Sequence, residues 1–575
     1  MSSRSRRTAL LVAAVVASWS VVASRAAAPR FFPDDPIQVD DDRSLDASGT
    51  KVTCQDPKER APCEIEGSNG YDFVEHTFLG PGDKRDIRAL NVNSVDELPD
   101  SSWFTNRIGR RAMTVDEIAR GPNELNITSI DDWPIVQEKS SGITAGYRLN
   151  DPSDRSMPPR LYQVKLDPPS NPGMASSAEL VGAAIYHALG YNVVQGYIVE
   201  VDPSRIIIKP TATTVDMRGQ KRTLTRRDID RLLARGARLP NGKYLATLSR
   251  FADGDRSPGY FKYYGTRPDD PNDIHPHEHR RELRANRVFA AWLNHDDSRG
   301  INSLDMIEGP EGRKYIRHYM FDFGSIMGSG STKPQTLRAG NEYILEWAPA
   351  LKTLASFGLY VRPWIKTKYW EGAKSVGRFE GDVFDPVKWR PEYPNPAFDN
   401  MRADDAFWAA RLVAKFSDDA IRAIVAKARY NEPGAADHIA NTLIKRRDKV
   451  VRAWLTGVNP LADARLSNAG MLEFENAAVS ARAASPAARY TFRWSRFDNA
   501  ANQTIGDPVE TTATETRSTA PAAVLNNAEY VAVAVRTIHP DFPVWEMPVT
   551  FTFRRASNGW QTVGVERAVP PRKPR

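Results

Sequence analysis

Three side chains in one stretch of the chain are of the types that phosphoryl transfer uses. Asp297 is followed five residues later by the amide of Asn302, and a second acid, Asp322, opens the triplet Asp322-Phe323-Gly324. An acid near an attacking hydroxyl can accept or orient its proton, while an amide oxygen and a second carboxylate can hold the Mg²⁺ that neutralises nucleotide phosphates. The spacing suits that chemistry. Asp297 and Asn302 fall on one short loop after the helical run RRELRANRVFAAWLN, and the twenty residues from Asn302 to Asp322 fit a β-hairpin that returns the second acid beside the first. Asp296 is the alternative acid, though its six-residue spacing to Asn302 fits less well. Read without chemistry, the two acids would simply end a helix and Asp322 would start an ordinary turn.

The elements that must position these residues can be read from pattern. Between 133 and 210 the chain predicts a sheet with one helix. PIVQE, GYRLN and RLYQVKLD are strands, the last alternating Leu161, Gln163 and Lys165 against Tyr162, Val164 and Leu166. SSAELVGAAIYHALG is a helix ended by Gly190, and NVVQGYIVEVD and SRIIIKP complete the sheet. A charged helix over 222–236, opened by Thr225 or Arg226, precedes a strand at KYLATLSRF. The stretches 345–370 and 386–455 read as mainly helical, with a Ser cap and early acids opening SDDAIRAIVAKARY. Near 470 the pattern turns to strict alternation, and an Asn558-Gly559 pair predicts a primed hairpin turn. The Thr/Ala-rich segment ANQTIGDPVETTATETRSTAPAAV reads as a linker or long loop.

On Asp297, Asn302 and Asp322-Phe323-Gly324 the chain resembles the protein-kinase-like superfamily in its atypical branches: HipA-type kinases, phosphatidylinositol kinases and CotH-like secreted kinases. The resemblance covers roughly 135–455. It implies Asp297, Asn302 and Asp322 as the catalytic set, with Asn302 and Asp322 as Mg²⁺ ligands and ATP as cofactor. It also suggests Lys165 for the α/β-phosphates and Glu179 as its ion-pair partner from the helix. For Glu179 a structural alternative stands beside this, because Ser176 three residues earlier could make SxxE a capping box. The sequence departs from the family at two places. There is no GxGxxG, so the candidate phosphate loop is Ser140, Ser141, Gly142 and Gly146, and no HRD precedes the acid, where His295-Asp296-Asp297 stands.

The expected fold class is α+β: a bilobal protein-kinase-like domain with an irregular N-terminal extension and a C-terminal all-β, sandwich-type module. The expected organisation is a signal peptide at 1–26, the extension at 27–132, an N-lobe at 133–255, a mainly helical C-lobe at 256–465 and the β module at 466–575. Segments of the extension such as VDELPDSSWFTNRIG read as chain laid along another domain.

Composition narrows the partners. With 575 residues the chain can bury several cores, and Lys plus Arg exceed Asp plus Glu by only seven. No run of like charges or basic-aromatic platform points to nucleic acid. MSSRSRRT, then ALLVAAVVASWSVVA, then small residues at Ala23 and Ala26 have the layout of a secretory signal. An uncleaved anchor is the rival, and membrane association is expected through this segment alone. Export to a bacterial periplasm or beyond makes Cys54 and Cys63 a candidate disulfide. The HPHEH run at His275, His277, Glu278 and His279 matches no zinc spacing and reads as a polar loop entering a helix.

The function expected is an exported kinase-like phosphotransferase using Mg-ATP on an unknown protein, glycan or small-molecule acceptor. The alternative is a pseudokinase scaffold that binds an envelope partner without catalysis. A metal-dependent hydrolase using the HPHEH loop is a third.

Overall fold

Alternating burial builds the sheet that carries Lys165. The computed structural model describes residues 29–37, 43–45, 73–139, 142–156, 159–216 and 218–572. Strands β1 (Pro134–Glu138), β2 (Gly146–Asn150) and β3 (Leu161–Leu166) form an antiparallel meander. β3 buries Tyr162, Val164 and Leu166 and leaves Leu161, Gln163 and Lys165 on its other face. Glycine is required at Gly146, because a Cβ there would stand 2.0 Å from the Val164 carbonyl oxygen. With β4 (Gly196–Val201), β5 (Ile207–Val215), β6 (Lys221–Thr223) and β7 (Tyr244–Arg250) the sheet has seven strands, in the order β4-β7-β3-β2-β1-β5-β6. Its core is Ile135, Tyr147, Leu149, Tyr162, Val164, Val199 and Leu248.

Helix α1 (Met174–Leu189) connects β3 to β4 and belongs to the next layer, since Val181, Ile185 and Leu189 join the helical core. The charged helix α2 (Arg226–Leu233) is capped by Thr225 and Asp228. The helical layer is α3 (Arg281–Leu293), α5 (Ala403–Ala414), α6 (Asp418–Lys427) and α7 (Ala435–Leu455), with α4 (Trp347–Ala355) outside that core. α3 packs on α5 and α7 through Phe289, Trp292, Phe407 and Leu443. Each large apolar side chain so buried stabilises by about 1.5–3 kcal/mol before entropy is charged against it. A three-stranded antiparallel sheet sits between the layers in sequence, with β9 (Ser303–Glu308) flanked by β10 (Tyr315–Met320) and by β8 (Arg256–Gly259). The long polar loop before α3 thus contains a strand.

The described part of the extension is laid along these layers. A short helix, Val115–Arg120, starts with a Thr114–Glu117 capping box. Trp103 stacks on His318 with ring centroids 3.5 Å apart and lies under the Arg280 guanidinium at 4.5 Å. Phe104 packs between Tyr191 and Trp408.

The C-terminal part has two sheets around one core. β11 (Leu461–Leu466), β12 (Met471–Asn476) and β15 (Arg517–Thr519) make the smaller sheet. β13 (Arg489–Asp498), β14 (Gln503–Ala513), β16 (Tyr530–Ile538), β17 (Val549–Ala556) and β18 (Gly559–Arg567) make the larger, and Leu472, Phe474, Phe492, Trp494, Val533 and Phe551 fill the space between. The chain is therefore a mixed α/β protein with four sheets among the described residues.

Several local expectations need correction. The Thr/Ala-rich segment is no linker: 503–513 is the eleven-residue edge strand β14, paired with β13 from Tyr490↔Ala513 to Asp498↔Gln503. Its side chains are mostly exposed, so its Thr content answers to strand geometry at an edge and not to a core. The β part begins at Leu461, because β11 buries Leu461 and Leu466 in the β core. Only 347–355 and one turn at Pro363–Lys366 are helical within 345–370. The last hairpin closes between paired Ala556 and Gly559, and neither Ser557 nor Asn558 has positive φ, so the turn is not of the primed type. Residues 1–28 and both cysteines lie outside the described residues.

Candidate functional site

The hairpin register brings the two metal-ligand candidates to one end. β9 and β10 pair from Glu308↔Tyr315 to Ser303↔Met320, and beyond the last pair the Phe321 N–H still reaches the Asn302 carbonyl at 3.4 Å. Asn302 thus stands opposite the residue before Asp322. Asp322 is left-handed, with φ 63° and ψ 53°, which turns the chain sharply into the helical turn Phe323–Ser325.

From the sheet side, Lys165 reaches the same end. Its Nζ donates to Asp322 Oδ1 at 2.8 Å and lies 3.9 Å from Glu179 Oε2. Burial works against the ammonium, but Asp322 and Glu179 outweigh it and hold Lys165 above the ordinary lysine range. The Lys165 charge in turn holds Asp322 below the usual carboxylate range, while 41% of the Asp322 side chain stays open to solvent. Burial pushes the Glu179 carboxyl up, opposed by Lys165 and by the backbone N–H groups of Phe323 and Gly324.

Helix α1 delivers Glu179 in a way that rules out the capping box. The helix begins at Met174 after a left-handed Gly173, so Ser176 already lies inside its first turn. Asp167 covers the helix start instead, accepting from the N–H groups of Gly173 at 2.8 Å and Ser176 at 3.0 Å and from the Ser176 hydroxyl. Burial pushes this acid up to about 6 against those hydrogen bonds. Glu179 is left to face Lys165. Close approach of α1 to the Asp-Phe-Gly turn depends on Gly182, where a Cβ would stand 2.5 Å from Phe323 Cβ. Phe323 stacks on Tyr186 of the same helix, with centroids 4.7 Å apart.

The loop after α3 holds the remaining acids in two different settings. Asp297 pairs with Arg299 at 2.6 Å and keeps 27% of its side chain open. Burial pushes its carboxyl up to about 6, against the pull of Arg299 and of the Asn302 amide. Asn302 Nδ2 donates to the Asp297 carbonyl at 2.7 Å, which fixes the loop and leaves the amide oxygen of Asn302 for another partner. Asp296 is turned inward, buried, and bonded to the Gln335 amide. Burial and the neighbouring Asp297 raise it well above the carboxylate range. His295 is buried beside Phe323, with ring centroids 6.0 Å apart, and burial pushes it down to about 4, so it is neutral.

Two contributors escape sequence reading. Gln335 donates to Asp296 and to the Ser325 carbonyl at 2.8 Å and accepts from Asn294 at 2.8 Å, tying the Asp297 loop to the Asp-Phe-Gly turn. Nothing in its neighbours marks it. Lys139, at the end of β1, adds a second positive charge that helps lower Asp322, and its Nζ donates to the Thr144 carbonyl at 3.0 Å. A lysine opening a Ser/Gly loop is the signal that could have found it. Of that loop, Ser140 and Ser141 lie outside the described residues, while Gly142 has φ +77° and faces Lys139.

The HPHEH run does structural work. His277 meets Asp273 at 2.7 Å, Glu278 accepts from the Asp83 N–H at 2.8 Å, and His279 meets the Asp83 carboxylate at 2.9 Å. The contacts of Glu278 and His279 fasten the extension to the start of α3. Among the described residues no group of three or more His, Cys, Asp or Glu side chains is arranged to hold a metal ion. A Mg²⁺ at this end of the hairpin would take oxygens from Asn302 and Asp322 and the rest from phosphate and water, which is how that ion is usually held. The hard oxygen donors present suit it.

No protein-family model matches the chain, and no curated protein matches it significantly. Among solved structures, a Helicobacter pylori proinflammatory kinase, CtkA, aligns with 56% of this chain and 95% of its own length, at 11% identity and a TM-score of 0.28. That likeness is too distant to carry an argument about fold or chemistry.

Proposed function

We propose that the chain is an exported, bilobal kinase-like phosphotransferase that uses Mg-ATP on an as yet unidentified acceptor. One observation carries the reading: Lys165 from a strand, Glu179 from a helix and Asp322 from a hairpin end converge, with Nζ at 2.8 Å from Asp322 and 3.9 Å from Glu179. Bound Mg-ATP supplies the phosphoryl group and neutralises its charge. Lys165 contacts the phosphates, and Glu179 keeps it aimed. Asn302 and Asp322 offer oxygens to the cation. Asp297 takes the acceptor hydroxyl's proton, and a carboxyl tuned to about 6 is ionised at neutral pH yet basic enough to do so. Lys139, following β1, adds a second positive charge for the phosphates.

Thermal melting of the purified chain with and without Mg-ATP tests this. A ligand at 100 times its Kd adds about 2.7 kcal/mol, so the wild type should melt several degrees higher. Asp322→Ala should lose that shift. A wild-type melt that ignores Mg-ATP favours the scaffold reading.

A further inference from the structure

The exposed apolar surface around helix α4 has no counterpart in the phosphotransfer chemistry. Helix α4 buries none of its nine residues. Trp347, Leu351 and Leu354 recur at i, i+4 and i+7, so they share one face, and they are 62%, 60% and 74% exposed. Past the helix Phe357 is 97% and Leu359 84% exposed, and Ile344, Leu345, Val361 and Ile365 extend the surface. Single exposed apolar residues need no explanation, whereas a contiguous group marks an interaction site.

The charges around it choose the occupant. Lys352 and Lys366 are exposed within the same stretch and Lys368 just beyond it, whereas Glu342 is taken up by Arg362 and Trp364 and Glu346 by Arg390. Tyr360 lies under Lys352, and Trp364 stands beside Arg362. Lysine is depleted in protein–protein interfaces. Apolar residues mixed with Trp, Tyr and lysine are instead the composition of a segment lying in the headgroup layer of an anionic bilayer. At nine residues α4 is far too short to span one, and no described helix is long and apolar enough to do so.

We propose that residues 344–366 form a docking surface for an anionic lipid bilayer. Two backbone hydrogen bonds tie this surface to the candidate catalytic loop: the Ile344 N–H donates to the Glu392 carbonyl at 2.8 Å, and the Glu392 N–H to the Asp296 carbonyl at 2.7 Å. This attachment adds to the one expected at the N-terminal apolar segment, and it does not depend on nucleotide chemistry.

Hydrogen exchange of the full chain, with and without vesicles of phosphatidylcholine containing phosphatidylglycerol, reads the surface directly. Amides of 344–366 should slow with anionic vesicles, and not with pure phosphatidylcholine. Lys366→Glu with Lys368→Glu should weaken that protection roughly tenfold or more in vesicle concentration, since each basic residue near such a surface contributes about a fivefold factor. Melting of the double variant should match wild type, which separates lost docking from lost folding. Anionic vesicles that leave 344–366 unprotected overturn the proposal, even if the chain is held on them by its N-terminus. Protection that rises with protein concentration and needs no lipid also overturns it and assigns the surface to a second copy.

Discussion

Helices α3 and α4 invert the usual rule about what goes inside. Every residue of α3 is buried, including Arg281, Glu282, Arg284, Asn286 and Arg287, whereas α4 leaves Trp347, Leu351 and Leu354 in solvent. The difference is partners. Arg281 meets Asp96 at 2.8 Å, Asp405 at 3.2 Å and Asp404 at 3.7 Å, and Arg284 donates to the Glu278 and Ile87 carbonyls at 2.7 and 2.9 Å. Buried charge is tolerable when it is paired and hydrogen-bonded, and two of these five partners, Asp96 and Ile87, come from the extension. Among the described residues, none packs over α4 closely enough to bury any of its side chains. Charged side chains thus hold the start of α3 to the extension and to α5, while apolar ones lie exposed on α4.

The contrast can be broken most forcefully at Arg281. Arg281→Ala removes the guanidinium that three buried carboxylates share, leaving Asp96, Asp405 and Asp404 to Arg88, Arg284 and Arg402 alone, and should cost about 3–5 kcal/mol, read by chemical denaturation. A loss below about 1 kcal/mol would mean that the network contributes little.

Asp297 offers a pH-dependent test of intermediate size. Its folded carboxyl titrates near 6, above the ordinary carboxyl range. Between that range and about 6 the folded chain holds a proton that the unfolded chain has released, so this group's contribution to stability falls as pH rises through the window. Asp167, also pushed up to about 6 by burial, adds to the slope. Asp297→Asn should flatten the pH dependence of the melting temperature between about 4 and 6 while abolishing phosphotransfer. Wild-type transfer should fall on the acid side with an apparent pKa near 6. A variant with the same slope as wild type would place the titration elsewhere.

The smallest effect belongs to α4. Leu354→Ser should change stability by no more than about 0.5 kcal/mol, because a side chain already 74% exposed has little burial to lose. A larger loss in the same denaturation assay would show that α4 is covered in solution.

Much of this was legible where local pattern decides. The β3 alternation put Lys165 on the correct face, the spacing of Asn302 and Asp322 matched a hairpin, and α1 kept its helical period. Legibility failed where distant partners decide. The SxxE pattern suggested a cap at Ser176, but the acid that covers the helix start is Asp167, on the preceding loop. Gln335 joins the two candidate catalytic segments through a side-chain amide that no spacing announces. The Thr-rich strand β14 was misread because an exposed edge lacks the apolar alternation that marks a half-buried strand.

Calorimetric titration of Mg-ATP into the wild-type chain and into Lys165→Met addresses the convergence of strand, helix and hairpin most directly. The expected result is saturable binding to the wild type and at least tenfold weaker binding to the variant, since a charge-assisted phosphate contact contributes about 1.5–3 kcal/mol. Equal binding by both chains, or none by the wild type, would contradict the account.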